Sequence, residues 1–354
     1  MSNERLFLDI HAIQTLPPSN VNRDDSGSPK TAQYGGVQRA RVSSQSWKKA
    51  MRDYFIQSGR ETVGTRTKDV VGYVADEISK IDPSFSTEET EKLAVDVIKK
   101  AGIKLDKDNK AKALFFMGKH QAQALAQAAI DHEESSEVLQ NILKENPEID
   151  IALFGRMVAD DPSLNEDASA QVAHAISTHA VQTEYDYYTA MDDRSEEDNA
   201  GAGMLGTIEY NSSTLYRYAN VAVHEFEKQL GSVEKTVDAL KLFIEAFSNS
   251  MPTGKINTFA NETLPQTLMI TLRSDRPVSL VGAFETPVRS TSGYVEESTK
   301  RLFRELGKVE KFVQKPIFTL YVTTTSLDEQ VEGKEVPDLA ALLSGLDEVK
   351  SLLG

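Results

Sequence analysis

The stretch GGVQRARVSSQSWKKAMR, residues 35–52, carries five basic side chains and no acidic one, in a chain of 354 residues with a formal net charge of −15. Residues 1–60 hold nine Lys/Arg against five Asp/Glu, so the acidic excess lies in the remainder. A cation-only window in an acidic protein suits local contact with a polyanion rather than a diffusely sticky surface. Arg39 and Arg41 alternate along an extended segment, and Gly35-Gly36 is expected to let backbone N–H groups approach an anion closely. Ser43 or Ser44 caps a helix that stops by Gly59, with Trp47, Ala50, Met51, Tyr54 and Phe55 as its apolar stripe. Gln45, Lys48 and Arg52 share another face, with Lys49 beside them. Charge reversal at Lys48 and Arg52 is therefore expected to spare the fold. A solvated basic face is the plainer alternative for the same residues.

Other residues suggest chemistries that weigh less. Asp24 and Asp25 in NRDDSG have the types needed to hold a divalent metal or activate water at a phosphodiester, but an Asp-Ser-Gly turn explains them more simply. GAGMLG (201–206) matches a dinucleotide fingerprint, yet it follows an acidic stretch and leads into a strand, so it reads as a hairpin tip. His174 and His179 lie five apart, the wrong spacing for a helical metal pair, and suggest packing or hydrogen bonding. YDYYTAM (185–191) puts Tyr185, Tyr187, Thr189 and Met191 on one strand face and Tyr188 on the other, as core or as a stacking surface for bases. Lysines between Lys99 and Lys119 form a solvated face or brush a duplex backbone. The acidic, glycine-ended segment 192–206 buries little alone and is expected to be mobile.

The elements that position these residues follow from periodicity. A half-buried strand is expected at 5–13, a long loop at 17–36, and mostly helices from 61 to 148. A strand at 150–159 and a helix at 166–177 follow, then strand character through YDYYTAM and at 207–223. Helices at 233–249, 293–312 and 338–352 alternate with strands at 267–274 and 317–324. The order suggests an α+β fold carrying a helical subdomain. Apolar residues make up 40% and no run is long enough to span a bilayer; no signal peptide is read at the N-terminus. Cysteine is absent, which excludes disulfides and thiolate metal sites and fits a reducing cytoplasm.

With NRDD, YGGVQRARVSSQSWKKAMR, DIALFGRM, AHAISTHAV, YDYYTAMDD, LGTIEY and YRYANV in this order, the chain resembles the CasC family, the repeated backbone subunits of the type I-E CRISPR surveillance complex (Cascade) in the RAMP superfamily. The resemblance implies an RRM-like (ferredoxin-like) palm over residues 1–58 and 216–354, a helical fingers insertion over 59–149, a return at 150–185 and a thumb hairpin at 186–215. It implies subunits stacked head to tail along a CRISPR RNA that pairs with a target DNA strand, other Cascade subunits as further partners, and no catalysis, cofactor, metal or membrane. Motif match places RNA contacts on Arg23, Lys30, Ser43, Gln45, Lys48, Lys49, Arg52 and Met157, and thumb-base residues on Tyr187, Tyr188, Thr189 and Met191. Tyr187-Tyr188 stands where the family has a Trp-Phe pair, and a lysine cluster late in the fingers is reduced to Lys144. The rival is a metal-dependent RAMP ribonuclease cutting RNA through Asp24 or Asp25.

Overall fold

Thirteen residues, Phe7–Ser19, form the strand around which the chain is arranged. In the computed structural model, which describes residues 5–60, 63–158, 161–190, 204–327 and 331–353, this strand (β1) is followed by β2 Thr31–Tyr34, β3 Val37–Val42, β4 Thr65–Thr67, β5 Phe115–Met117 and β6 Ala170–Val172. Then come β7 Ala175–Ser177, β8 Glu184–Ala190, β9 Met204–Ala222, β10 Thr267–Arg273, β11 Phe318–Thr323 and β12 Lys334–Glu335. The helices are α1 Ser44–Ser58, α2 Val70–Ile81, α3 Thr87–Lys100, α4 Lys119–Ile130, α5 Ser136–Lys144 and α6 Ile149–Phe154. After them lie α7 Val223–Leu230, α8 Val233–Asn249, α9 Ile256–Phe259, α10 Val295–Val309, α11 Leu339–Gly345 and α12 Lys350–Leu353. Among the described residues the main sheet runs β12-β11-β10-β1-β9-β7-β3-β2, with β6 and β8 also paired to β9. The fold is α+β.

The sheet is covered on both faces, which corrects the half-buried reading of its first strand. Leu6, Leu8, Ile10 and Ala12 face a core built with Phe55, Phe226, Phe243 and Phe247 from the helices α1, α7 and α8. Ile13 and its neighbours Tyr216 and Met269 face a second core closed by Phe284, Leu302 and Phe303. Asp9 and His11 are therefore buried, and each has a partner: Tyr218 donates to Asp9 at 2.8 Å, and His11 Nδ1 meets Tyr216 Oη at 2.9 Å. Helices α2 to α5 and the β4–β5 ribbon, inserted after α1, enclose a separate core of Val70, Val74, Ile78, Ile98, Leu125 and Leu139.

Three other segments depart from the sequence reading. Where a strand is expected at 150–159, the helix α6 occupies Ile149–Phe154 and is ended by Gly155 at φ 76°; a short, mostly apolar segment cannot by itself tell the two apart. Residues 166–177 hold β6 and β7 instead of a helix, because β9 offers them a ladder. The expected loop at 17–36 is shortened to residues 20–30, because β1 continues to Ser19 and β2 forms a hairpin with β3.

That hairpin explains the double glycine. Gly35 (φ 59°) and Gly36 (φ 76°) are the two turn residues between the paired Tyr34 and Val37, a backbone that only glycine adopts readily at both positions. The close approach at Gly35 is to the protein itself: a Cβ there would overlap the Glu285 carbonyl oxygen. Gly35→Ala is accordingly expected to destabilise the protein by about 2–4 kcal/mol, read from a urea melt, whereas Gly36→Ala, with open space around its Cβ, should cost less.

Candidate nucleic-acid interface

The basic helix is positioned from its own sequence. Ser43 caps it, its hydroxyl accepting from the Ser46 N–H while its own N–H donates to Asn22 Oδ1 at 2.8 Å. Gly59, at φ 61°, ends it in a left-handed cap. No acidic residue lies in the first turn, so the positive end of the helix dipole is left uncompensated. Trp47, Met51 and Phe55 are buried and fix the rotation of the helix. Beneath Trp47 the Arg217 guanidinium stacks at 3.6 Å and donates to Gln14 and to the Phe247 carbonyl; burial pushes its pKa down to about 9.

This rotation sends Gln45, Lys48, Lys49 and Arg52 into a cleft of about 760 Å³ between α1, the β4–β5 ribbon and the segment after α6. Arg66 from β4 joins the basic wall. Leu114, Phe116, Phe154 and Met157 supply an apolar floor, Met157 being 77% exposed. The Lys48 ammonium lies 5.2 Å above the Phe154 ring, and burial lowers its pKa. Glu166 and Asp167 line the cleft as well. A basic wall along an apolar floor holds a phosphate backbone on one side and a base or sugar face on the other.

Two of these cations already have partners. Lys49 pairs with Asp53 at 2.6 Å on an exposed helix face, a contact worth little and easily exchanged for a phosphate. Arg52 is different: its Nε lies 2.8 Å from Oδ2 of the fully buried Asp150, its Nη2 donates to the Gly64 carbonyl, and Gly64 N–H donates to Asp150 Oδ1. Burial raises the pKa of Asp150, and the Arg52 contact opposes that rise. Reversing charge at Arg52 would strand this carboxylate, so the expectation that a Lys48 and Arg52 reversal spares the fold is overturned.

Arg39 is also corrected. It is 0% exposed, donating to the carbonyls of Tyr34, Ser177 and Phe284, so it ties the hairpin to β7 and to the turn Val281–Phe284 and cannot reach an RNA phosphate. Ser43 is likewise buried, its hydroxyl occupied by the cap. Arg41, Lys30 and Arg23 remain accessible around the loop that precedes α1. In that loop Asp24 Oδ1 accepts from Ser26 N–H, Ser26 Oγ and Ser28 N–H, and these bonds lower its pKa: it is the turn residue, with Asp25 exposed beside it. Among the described residues no cluster of three metal-ligating side chains occurs.

The tyrosines lie on a projecting ribbon. β8 pairs with the start of β9 from Glu184↔Tyr210 to Ala190↔Met204, and every β8 residue is exposed. Tyr185 and Tyr187 are each 66% exposed on one face, with Thr189 in line. Tyr188, on the other face, covers Gly206, where a Cβ would meet its ring at 2.5 Å. Of GAGMLG, Met204–Gly206 begin β9 in a hairpin arm, Gly206 being needed for the Tyr188 ring, and residues 201–203 lie outside the described residues. Met191 and the acidic segment to residue 203 lie outside the described residues.

His179 is buried, bonded to the Ala180 carbonyl and accepting from Thr214 N–H, with Tyr294 stacked at 3.7 Å. His174 is exposed beside Arg41. Both hydrogen-bond, as their spacing suggested. Nothing in the sequence pattern singles out Arg66, Asp150 and Arg156 as parts of this site. Arg156 is buried at the base of the cleft, donating to the carbonyls of Leu164, Phe116 and Leu143, and its only local signal is its place in FGRM.

The geometry agrees with known proteins. A chain of a "CRISPR RNA-guided surveillance complex, pre-nicking" superposes with a TM-score of 0.84 at 30% identity, covering 98% of this chain and 100% of that one. A chain of another "CRISPR RNA-guided surveillance complex" gives a TM-score of 0.74 at 28% identity, covering 98% and 99%. No curated protein matches the sequence. The family model described as CT1975-like protein matches residues 8–347, and the chain belongs to this family of CRISPR-associated proteins.

Proposed function

We propose that this protein is a non-catalytic backbone subunit of a type I-E Cascade complex, binding CRISPR RNA through the α1 cleft and the β8–β9 arm. The observation that carries the reading is the cleft itself, where Gln45, Lys48, Lys49 and Met157 meet over an aromatic floor in a chain similar along 98% of its length to a surveillance-complex chain. In this reading the main sheet is the RRM-like palm, the inserted helices are the fingers, and the arm is the thumb. Copies stack head to tail because a linear guide offers each the same environment, and such heterologous contacts extend along it. The guide is thereby pre-ordered for a target DNA strand, and base pairing reads the sequence. The complex works in the cytoplasm; among the described residues no helix is long and apolar enough to cross a membrane.

Lys48→Glu with Lys49→Glu tests the reading, since neither side chain holds a buried partner. Filter binding to single-stranded RNA should weaken by about tenfold or more, with the salt slope reduced by roughly one unit per lost phosphate contact, while circular dichroism is unchanged. Unchanged affinity and slope would remove the cleft from the RNA path. The ribonuclease reading predicts regularly spaced, Mg²⁺-dependent cuts in complementary RNA, abolished by Asp24→Ala or Asp25→Ala; the non-catalytic reading predicts intact RNA.

A further inference from the structure

A second basic cluster sits just before the N-terminal end of α1, and it contains a group with a variable charge. Arg41, near the end of β3, donates Nε–H to the Thr31 carbonyl at 3.1 Å and places Nη1 3.1 Å from His174 Nδ1. Lys30 is held against the same strand, its carbonyl accepting from Arg41 N–H at 2.9 Å. His174, in the turn between β6 and β7, is exposed. Among the described residues, none of Lys30, Arg41 and His174 forms an ion pair with a carboxylate. A guanidinium has no acceptor, so in this contact Nδ1 is unprotonated and the imidazole turns Nε2–H outward. Burial, then Arg41 and Lys30, hold the His174 pKa below the ordinary imidazole value.

We propose that Lys30, Arg41 and His174 form a proton-linked site for an RNA backbone phosphate, in which the arriving anion draws a proton onto His174. The inference rests on the RNA-binding reading and adds to it a residue and a pH dependence. As the phosphate enters, Arg41 Nη1–H turns from Nδ1 to a phosphate oxygen, and Nδ1 takes a proton from solvent. Only hydrogen bonds and one solvent proton change. The groups acting on the imidazole, Arg41 from β3 and Lys30 from the loop before β2, are both cationic, and the phosphate counters them.

The sign follows from linkage. The His174 pKa is low in the free protein and rises when the phosphate binds, so binding takes up a proton. RNA affinity therefore increases as pH falls through the bound-state pKa and levels off below the free-state one. One site contributes at most about tenfold per pH unit between these limits.

The test is titration of the full chain with single-stranded oligouridylate at fixed ionic strength between about pH 8 and pH 5.5, for wild type and His174→Gln. The glutamine amide oxygen can still accept from Arg41. Wild type should gain affinity on acidification, whereas the variant's affinity should stay flat across the range. Calorimetry of the wild type in two buffers of different ionisation enthalpy needs no variant and should show proton uptake. Identical pH profiles, or no uptake, would overturn the proposal while leaving RNA binding standing. Failure of both proteins to bind at any pH overturns the RNA-binding reading, and the proposal with it.

Discussion

Arg52→Ala is expected to lower the unfolding free energy by about 3–5 kcal/mol, the largest stability loss among the basic residues of the helix. The reason is Asp150, which is fully buried and whose two oxygens are met by the Arg52 guanidinium and the Gly64 N–H. Without Arg52 the carboxylate keeps one backbone donor and loses its counter-charge. Its pKa, already raised by burial, rises further in the folded state. A raised carboxylate pKa means that the folded protein binds the proton more tightly than the unfolded chain. The deficit is therefore greatest above the folded-state pKa and shrinks as pH falls toward the ordinary carboxylate range. Urea melts at neutral and mildly acidic pH check both statements, and Arg52→Ala with Asp150→Asn should recover part of the loss. A loss below about 1 kcal/mol would mean that the pair behaves as a surface contact. RNA-binding defects of Arg52 variants consequently report folding as well as contact, which is why Lys48 and Lys49 carry the functional test.

Removing both exposed rings of the arm, Tyr185→Ala with Tyr187→Ala, is expected to weaken RNA binding by about 1–3 kcal/mol for each base that stacks there. Each ring is 66% exposed, so the melting transition should move little. Tyr188→Ala differs because that ring covers Gly206 within the ribbon, and its loss should loosen the arm as well. Fluorescence titration and thermal melts on the same samples separate the two effects. Full affinity in the double variant would assign the aromatic pair to a protein contact instead.

Local signals were legible where the chain states them locally. Ser43 and Gly59 mark the ends of α1, and the spacing of Trp47, Met51 and Phe55 gives its buried face. The cleft-facing set Gln45, Lys48, Lys49 and Arg52 follows from the same period. What the residue pattern could not supply is the distant partner. Arg39 and Arg41 look alike along β3, and what separates them is the turn whose Phe284 carbonyl Arg39 reaches across 245 positions. Arg52 looks like its neighbour Lys48 until Asp150 arrives from 98 positions away. Arg66 was hidden because its short strand lies in a segment whose periodicity is helical, and β6 and β7 because two three-residue strands leave no period to read.

Photocrosslinking tests the central claim most directly. RNA carrying 4-thiouridine, bound to the full chain and irradiated, should yield peptide adducts from α1, from the Met157 segment and from the tyrosines of β8. Adducts confined to the helices α7, α8 and α11 on the covered face of the sheet, with the α1 cleft and β8 unlabelled, would contradict it.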